Sequence, residues 1–397
     1  RRPEPGRGPL TGSLRVAIDA RPAVSAGMTG IGIYARELIF RLPEVDPKTT
    51  YVPWYLNAKR ALRPWRWDRR FFPRRRNVVE RWSPIPAQWF ERSSLRYELP
   101  RLEWLVDFDV LFAPNFVPPP TRSKRVVLTV HDLAFRRFPE TAPHSTRRWL
   151  ARLDRAIGRA AEIIVVSEAT KRDVVELYPV DPDRVTAIHH GVDTERIRPA
   201  PADEVARARR RFGIDGPYLL FLGGLEPRKN LPRLVAAYGR LADPPHLVIA
   251  GASVPWNPEG RGALDAALAE LSPAVRERVV LTGYLGDRDK VAVLSGAEAL
   301  VLPSLYEGFG FPVVEAMACG IPVLTSNVSS LPEVAGDAAL LVDPLDEEMI
   351  ADGIRRVVGD DGLRTRLVEA GRARVGRFRW EDSARRHVEV LHRAGEA

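Results

Sequence analysis

The chain has 397 residues, 45% of them hydrophobic and 28% charged, with a formal net charge of +9 and one cysteine. That length predicts two domains at about 150 residues each, the composition excludes a disordered chain, and no run nears the roughly 18 apolar residues that span a bilayer. The lone Cys319 excludes an intrachain disulfide and a multi-cysteine zinc site, which suits a reducing, cytoplasmic location.

The opening RRPEPGRGPLTGS is polar, lacks the apolar centre of a secretory signal and reads as a loose tail. LRVAID (14–19) then predicts a strand buried on both faces. In GMTGIGIYARELI (27–39), Gly27, Gly30 and Gly32 form a loop entering a helix, whose apolar face is Ile31, Tyr34, Ala35, Leu38, Ile39 and Leu42. The spacing is not G-x-G-x-x-G, so the dinucleotide fingerprint is unmet. A glycine loop before a helix still suits a pyrophosphate or a closely approaching substrate.

From Trp54 to Trp104, 13 Lys/Arg face five Asp/Glu, so this stretch carries +8 of the net +9. It also holds six of the nine tryptophans: Trp54, Trp65, Trp67, Trp82, Trp89 and Trp104. Two readings stand: an anionic interface, lipid or nucleic acid, or an irregular insertion with solvated arginines and tryptophans packed beneath.

Further strands are predicted at 109–113, 125–130, 162–166 and 185–188. His131 and Asp132 directly follow the second of these, where a histidine either meets substrate or is a hydrogen-bonded structural residue. The polar, basic segment 197–216 reads as a linker leading into a short helix. Strands then recur at 217–222, 246–250, 278–281, 298–302, 321–324 and 338–342, alternating with helices. Two consecutive βα domains with a cleft between them is the simplest architecture.

Open parallel sheets bind ligands beyond the carboxyl ends of their strands. After 217–222 comes GGLEPRKNLP: Gly223 and Gly224 permit close backbone approach, and Arg228 and Lys229 supply adjacent cations before a helix. The alternative is a surface loop with two solvated cations. After 298–302, Pro312 fits the first turn of a helix ending at Gly320, with Glu307 ahead of it and Glu315 in its first turn. Carboxylates spaced E-x7-E can hold the hydroxyl pairs of a sugar or ribose. Otherwise Glu315 only complements the helix dipole and Glu307 faces solvent.

Taken in order, GMTGIGIYARELI, VHDL, VVSEATKRDVVE, IHHGVD, LGGLEPRKNL, LVIAG, GYLGD and LPSLYEGFGFPVVEAMACGIPV with SSLPEVAGDAALLVDP resemble the retaining glycosyltransferases of family four, which have the GT-B fold. The resemblance runs from about residue 14 to about 382. It looks most like bacterial members that build surface polysaccharides. It implies an α/β chain of two Rossmann-like domains facing across a cleft. The acceptor domain would be 13–198, the donor domain 212–377, and 378–397 a helix crossing back to brace the first.

By the same resemblance, Arg228 and Lys229 sit on the donor diphosphate and Glu315 on the ribose diol. Glu307, with the backbone of Gly308, Phe309 and Gly310, orients the donor sugar, and His131 stands beside the reaction centre. Gly30 and Gly32 lie near the phosphate and acceptor, Gly223 and Gly224 by the donor, and Tyr284 at the base. The implied reaction is metal-independent, retaining hexosyl transfer without a cofactor, GDP-mannose being the favoured donor and a dTDP- or UDP-sugar the second. Its acceptor is a saccharide or lipid-linked saccharide, with no nucleic acid bound. The 54–104 stretch aligns to no family motif and is the departure from the pattern; its arginines and tryptophans would instead hold the enzyme on an anionic membrane at the inner face. The competing readings are a nucleotide-sugar epimerase or hydrolase of the same fold, and a nucleic-acid or membrane-binding protein.

Overall fold

Near-continuous apolar runs can be buried only with both faces covered, and here they form two all-parallel sheets. The computed structural model describes residues 13–24, 30–58, 71–72, 74–139, 146–253 and 259–397. The start of the chain, Gly27, Trp65 and Trp67 lie outside the described residues.

The first sheet contains β1 (Arg15–Asp19), β2 (Thr50–Leu56), β3 (Arg81–Ser83), β4 (Val110–Ala113), β5 (Val126–Val130), β6 (Glu162–Val165) and β7 (Val185–Ala187). Its order is β3-β2-β1-β4-β5-β6-β7. The second contains β8 (Tyr218–Leu222), β9 (His246–Ala250), β10 (Val279–Gly283), β11 (Ala299–Leu302), β12 (Val323–Ser326) and β13 (Leu340–Val342), in the order β10-β9-β8-β11-β12-β13. Strand order therefore reverses between β1 and β4 and again between β8 and β11. Crevices for ligands open at such reversals.

The principal helices of the first lobe are α1 (Gly30–Val45), α2 (Ala87–Tyr97), α3 (Thr146–Arg159) and α4 (Glu168–Leu177). After α5 (Ala202–Phe212) come α6 (Leu231–Gly239), α7 (Glu259–Ala269), α8 (Asp287–Ser295), α9 (Phe311–Ala318), α10 (Leu331–Ala335), α11 (Glu347–Gly359), α12 (Asp361–Val375) and α13 (Trp380–Glu396). On α1 the expected face is buried at Tyr34, Ala35, Leu38, Ile39 and Leu42. That face meets Val16, Ile18, Val110 and Phe112 on one side of the first sheet, together with Trp380, Ala384, Val390 and Leu391 of α13. The opposite side, with Ala17, Val52, Trp54 and Leu111, is covered by Phe90 of α2 and by Leu102 and Val106. Two chain crossings join the lobes side by side: the Val192 amide donates to the Phe378 carbonyl at 2.9 Å. A Cβ at Gly191 would lie 2.3 Å from the Trp380 nitrogen, so only glycine lets the crossings touch.

The 54–104 stretch departs from the reading of it as an irregular insertion with tryptophans packed beneath. It enters the sheet through β2 and β3, which pair at Trp54↔Arg81 and Leu56↔Ser83. Trp54 is fully buried and donates through Nε1 to Ser83 Oγ at 2.8 Å. TYVPWYL hid this strand because Pro53 argues against an interior one. Trp82 packs partly against the core, whereas Trp89 and Trp104 are exposed.

Candidate functional site at the strand reversal of the second sheet

The β8–β11 reversal brings the loops 223–230 and 303–310 together, since Leu219 and Leu220 pair with Ala299 and Leu300. The Leu305 amide donates to the Arg228 carbonyl at 2.8 Å. Between these loops lies a buried ion cluster. Lys229 Nζ donates to Glu307 Oε1 at 2.5 Å, Arg228 Nη1 to Glu307 Oε2 at 2.9 Å, and Ser304 Oγ to Oε1 at 2.8 Å. Arg228 also donates to the Tyr306 carbonyl and through Nε to Glu226 Oε2. Burial works against the Glu307 carboxylate, but the charges of Lys229 and Arg228 outweigh it and hold its pKa at about 2. Arg228 is pulled down by burial and pushed up more by Glu307, Glu226 and Asp132, so its pKa is raised.

These are not the solvated cations of a surface loop. Glu307 and Glu226 already balance Arg228 and Lys229. What remains is donor capacity: an ammonium has three N–H bonds and a guanidinium five. One Lys229 bond is spent on Glu307, and among the described residues Nη2 of Arg228 has no partner. Gly223 directly follows β8 at this cluster, where a Cβ would sit 3.4 Å from Lys229 Cε, and Gly224 comes next.

Glu315 is not grouped with Glu307. Gly310 takes a left-handed φ of 101° as the N-cap, so α9 already begins at Phe311 and Glu315, its fifth residue, falls just beyond the first turn. The helix dipole has faded there. Its partner is instead Lys290 Nζ of α8, at 2.5 Å. The pair lines a cavity of about 370 Å³ whose far wall is Ile33, Arg36 and Glu37 of α1. Tyr284 follows β10, is exposed and does not line this cavity.

The first lobe meets the site through His131. A Cβ at Gly308 would lie 1.9 Å from the His131 carbonyl oxygen, so the two backbones are in contact across the lobes. Gly30 opens α1 beside the Phe311 ring, Gly32 is buried within that helix, and Phe309 packs between His189, His190 and Phe311. Sequence reasoning gave no role to the residues of two further bridges, although they lie within VVSEATKRDVVE, IHHGVD, LPSLYEGFGFPVVEAMACGIPV and SSLPEVAGDAALLVDP. Tyr306 OH donates to Asp173 of α4. Glu333 of α10 accepts the Glu168 and Ala169 amides at the α4 N-terminus and lies 2.5 Å from His189 Nε2. Gly308→Ala is expected to hold the lobes apart and cut turnover on the order of 10²-fold, the scale of a 1 Å misplacement. Steady-state kinetics and small-angle scattering check this.

His131 Nε2 lies 2.9 Å from the Pro114 carbonyl, which can only accept, so Nε2 carries the proton and Nδ1 is left as an acceptor. Burial favours the neutral ring and the Pro114 bond opposes it less, which lowers the pKa from 6.5 to about 4. His387 is likewise lowered by burial to about 4, despite donating Nδ1–H to the Ser383 carbonyl at 2.7 Å. Tyr34 OH bonds its Nε2. Burial also lowers His190, stacked on Phe311. Each ring takes a proton more readily when unfolded, so the stability it contributes is full above pH 6.5 and is lost as pH falls toward 4. The melting temperature should therefore fall between pH 7 and 5, as calorimetry can record.

Residues 28–196 match the family described as Glycosyltransferase Family 4, and residues 204–374 the family described as Glycosyl transferases group 1. The O-antigen chain mannosyltransferase B of Escherichia coli is 32% identical over 285 residues, 69% of this chain and 71% of that protein. The chain belongs to glycosyltransferase family four. The serotype-specific mannosyltransferase WbdA of Escherichia coli is 30% identical over 237 residues, which are 59% of this glycosyltransferase but 29% of that longer protein. The crystal structure of Anabaena HepE in complex with UDP and glucose superposes with a TM-score of 0.69 at 16% identity, over 96% of this chain and 99% of that one. That likeness establishes the GT-B architecture.

Proposed function

We propose that this glycosyltransferase moves a hexose, mannose in the first instance, from a nucleoside-diphosphate sugar to a saccharide or lipid-linked saccharide, with retained anomeric configuration. The observation that carries this reading is the Arg228–Glu307–Lys229 cluster at the β8–β11 reversal. On this reading residues 13–198 receive the acceptor, 212–377 bind the donor, and 378–397 brace the first lobe.

Breaking the anomeric C–O bond leaves negative charge on a phosphate oxygen, which fixed donors stabilise. The unspent N–H bonds of Lys229 and Arg228 would meet that oxygen without a metal ion. Glu307 has about four acceptor positions, and Lys229, Ser304 and Arg228 use three of them. The fourth, on Oε2, would take one donor-sugar hydroxyl, while the backbone of 308–310 and His131 Nδ1 flank the ring. Glu315 would leave Lys290 for the ribose diol, and Tyr284 would cover the base. The acceptor hydroxyl attacks on the face the phosphate leaves, and its proton passes to the departing oxygen.

The relatives named as mannosyltransferases support mannose as the sugar, with GDP the base taken first, and the UDP held by HepE makes a UDP-sugar the second reading. A ligand that binds the native state raises the melting temperature, so GDP, UDP, dTDP and their sugars should be compared by thermal shift. GDP is expected to stabilise most, and proton NMR of the product should show an unchanged anomeric configuration. A UDP preference would move the donor. No shift with any nucleotide would overturn the reading, and donor consumed without transfer would favour a hydrolase.

A further inference from the structure

Five of the large hydrophobic side chains exposed among the described residues fall within 71–104: Phe71, Trp89, Leu95, Tyr97 and Trp104 join this group. Four of them stand on one layer. Helix α2 and the turn 102–104 both anchor inward on the same face of the first sheet, through Phe90 and Leu102. Beside these anchors Trp89 is 74% exposed and Trp104 63%, while Tyr97, seven residues after Phe90 and so on its side of the helix, is exposed at the last residue of α2. Water alone does not favour such a group of aromatics on one layer.

The charge around them is cationic. Trp89, Arg92 and Arg96 recur at i, i+3 and i+7, one exposed stripe of α2. Arg101 lies 5.6 Å over the Trp104 ring. The neighbouring carboxylates do not cancel this stripe. Glu98 is paired with Arg155 at 2.7 Å, while Glu103 keeps its charge but turns it to neutral donors, Thr121 Oγ1 and the Arg122 and Ser123 amides. Glu91 is two residues on from Trp89, roughly the other side of the helix.

We propose that this layer docks on an anionic lipid bilayer, with Trp89 and Trp104 at headgroup depth and Arg92, Arg96 and Arg101 on lipid phosphates. Indole rings have an apolar body and a polar edge, which suits that depth. Arginine pairs bidentately with phosphate. No helix among the described residues is long and apolar enough to cross a membrane, so contact is confined to the surface. The Trp89 end of this layer also lies at the edge of the sheet that borders the cleft, whereas the turn 102–104 precedes β4 at the opposite edge. Helix α2 follows β3 at the carboxyl edge of the first sheet, and Arg21, just past β1, places its guanidinium 5.1 Å over the Phe90 ring on the inner side of α2. A lipid-linked acceptor would then reach the first lobe without leaving the bilayer. That last step rests on the proposed transfer reaction, whereas the surface does not.

The test is co-sedimentation of the full chain with phosphatidylcholine vesicles prepared with and without phosphatidylglycerol, across a salt series. Binding is expected only with phosphatidylglycerol and should weaken as salt rises. Arg92→Gln with Arg96→Gln should lower partitioning roughly 30-fold, at about a factor of five per arginine near an anionic surface. Trp89→Ser with Trp104→Ser should also release the protein. Both pairs lie on exposed positions, so the thermal shift with nucleoside diphosphates should stay as in the wild type. Retention of that shift separates loss of docking from loss of the donor site. Failure to sediment at low salt, sedimentation unchanged in both double variants, or capture by RNA with none by vesicles would overturn the proposal.

Discussion

Lys229→Ala is expected to lower turnover on the order of 10²-fold or more, the loss seen when one charge-stabilising donor is removed. The ion balance explains why one side chain matters so much. In the native cluster Arg228 and Lys229 offset Glu226 and Glu307. Removing the ammonium leaves two carboxylates against one guanidinium, so a diphosphate would enter a site of net negative charge. Both KM for the donor and kcat should suffer, because the lost N–H bonds serve ground state and leaving group alike. Structural damage should be modest, since Ser304 and Arg228 still hold Glu307. Near-normal kcat/KM in this variant would remove Lys229 from the phosphate site.

Glu307→Gln should act in the opposite sense on ligand and on fold. Lys229 is 6% exposed, and without the carboxylate it becomes a buried cation lacking its counter-ion. Breaking one side of such a pair costs about 3–5 kcal/mol, or roughly 6–20 °C in melting temperature for a lobe of this size. The freed cations should at the same time grip a nucleoside diphosphate more tightly, so the ligand-induced gain in melting temperature should exceed that of the wild type. Slow product release would then lower kcat. Calorimetry with and without nucleoside diphosphate separates the two effects. An unchanged melting temperature without ligand would show that the cluster is not held by this carboxylate. The sign of the pH dependence follows from the same pair. The stability Glu307 contributes is full above the ordinary carboxylate pKa and fades only as pH falls toward 2. Acid sensitivity between pH 7 and 5 therefore belongs to the buried histidines.

Much of this was legible in the chain because apolar runs of parallel strands need no partner to be recognised. LRVAID, RVVLTV and PYLLFL are strands wherever they fall in the sheet order. The residue types at the site were equally visible, with Arg228, Lys229 and Glu307 each directly past a strand. Their mutual pairing was not, because it depends on β8 and β11 being neighbours although 76 positions separate Arg228 from Ser304 in number. Glu315 was placed within the first turn because only the left-handed Gly310 fixes where α9 begins. Its partner Lys290 belongs to a helix that reaches it through tertiary packing alone. The aromatic strand β2 escaped notice since Pro53 interrupts it, and with it went the distinction between the buried Trp54 and the exposed Trp89.

Helix α13 completes the first sheet from the far end of the chain: Val390 and Leu391 share a core with Val110 and Phe112. During translation, β1 to β7 therefore emerge with part of that side bare, and it stays bare until the whole second lobe has been made. A nascent first lobe offers hydrophobic surface to chaperones for that interval. The first lobe does not complete its core alone, and expression of residues 13–198 by themselves should yield aggregated material unless a peptide equivalent to 380–396 is supplied alongside.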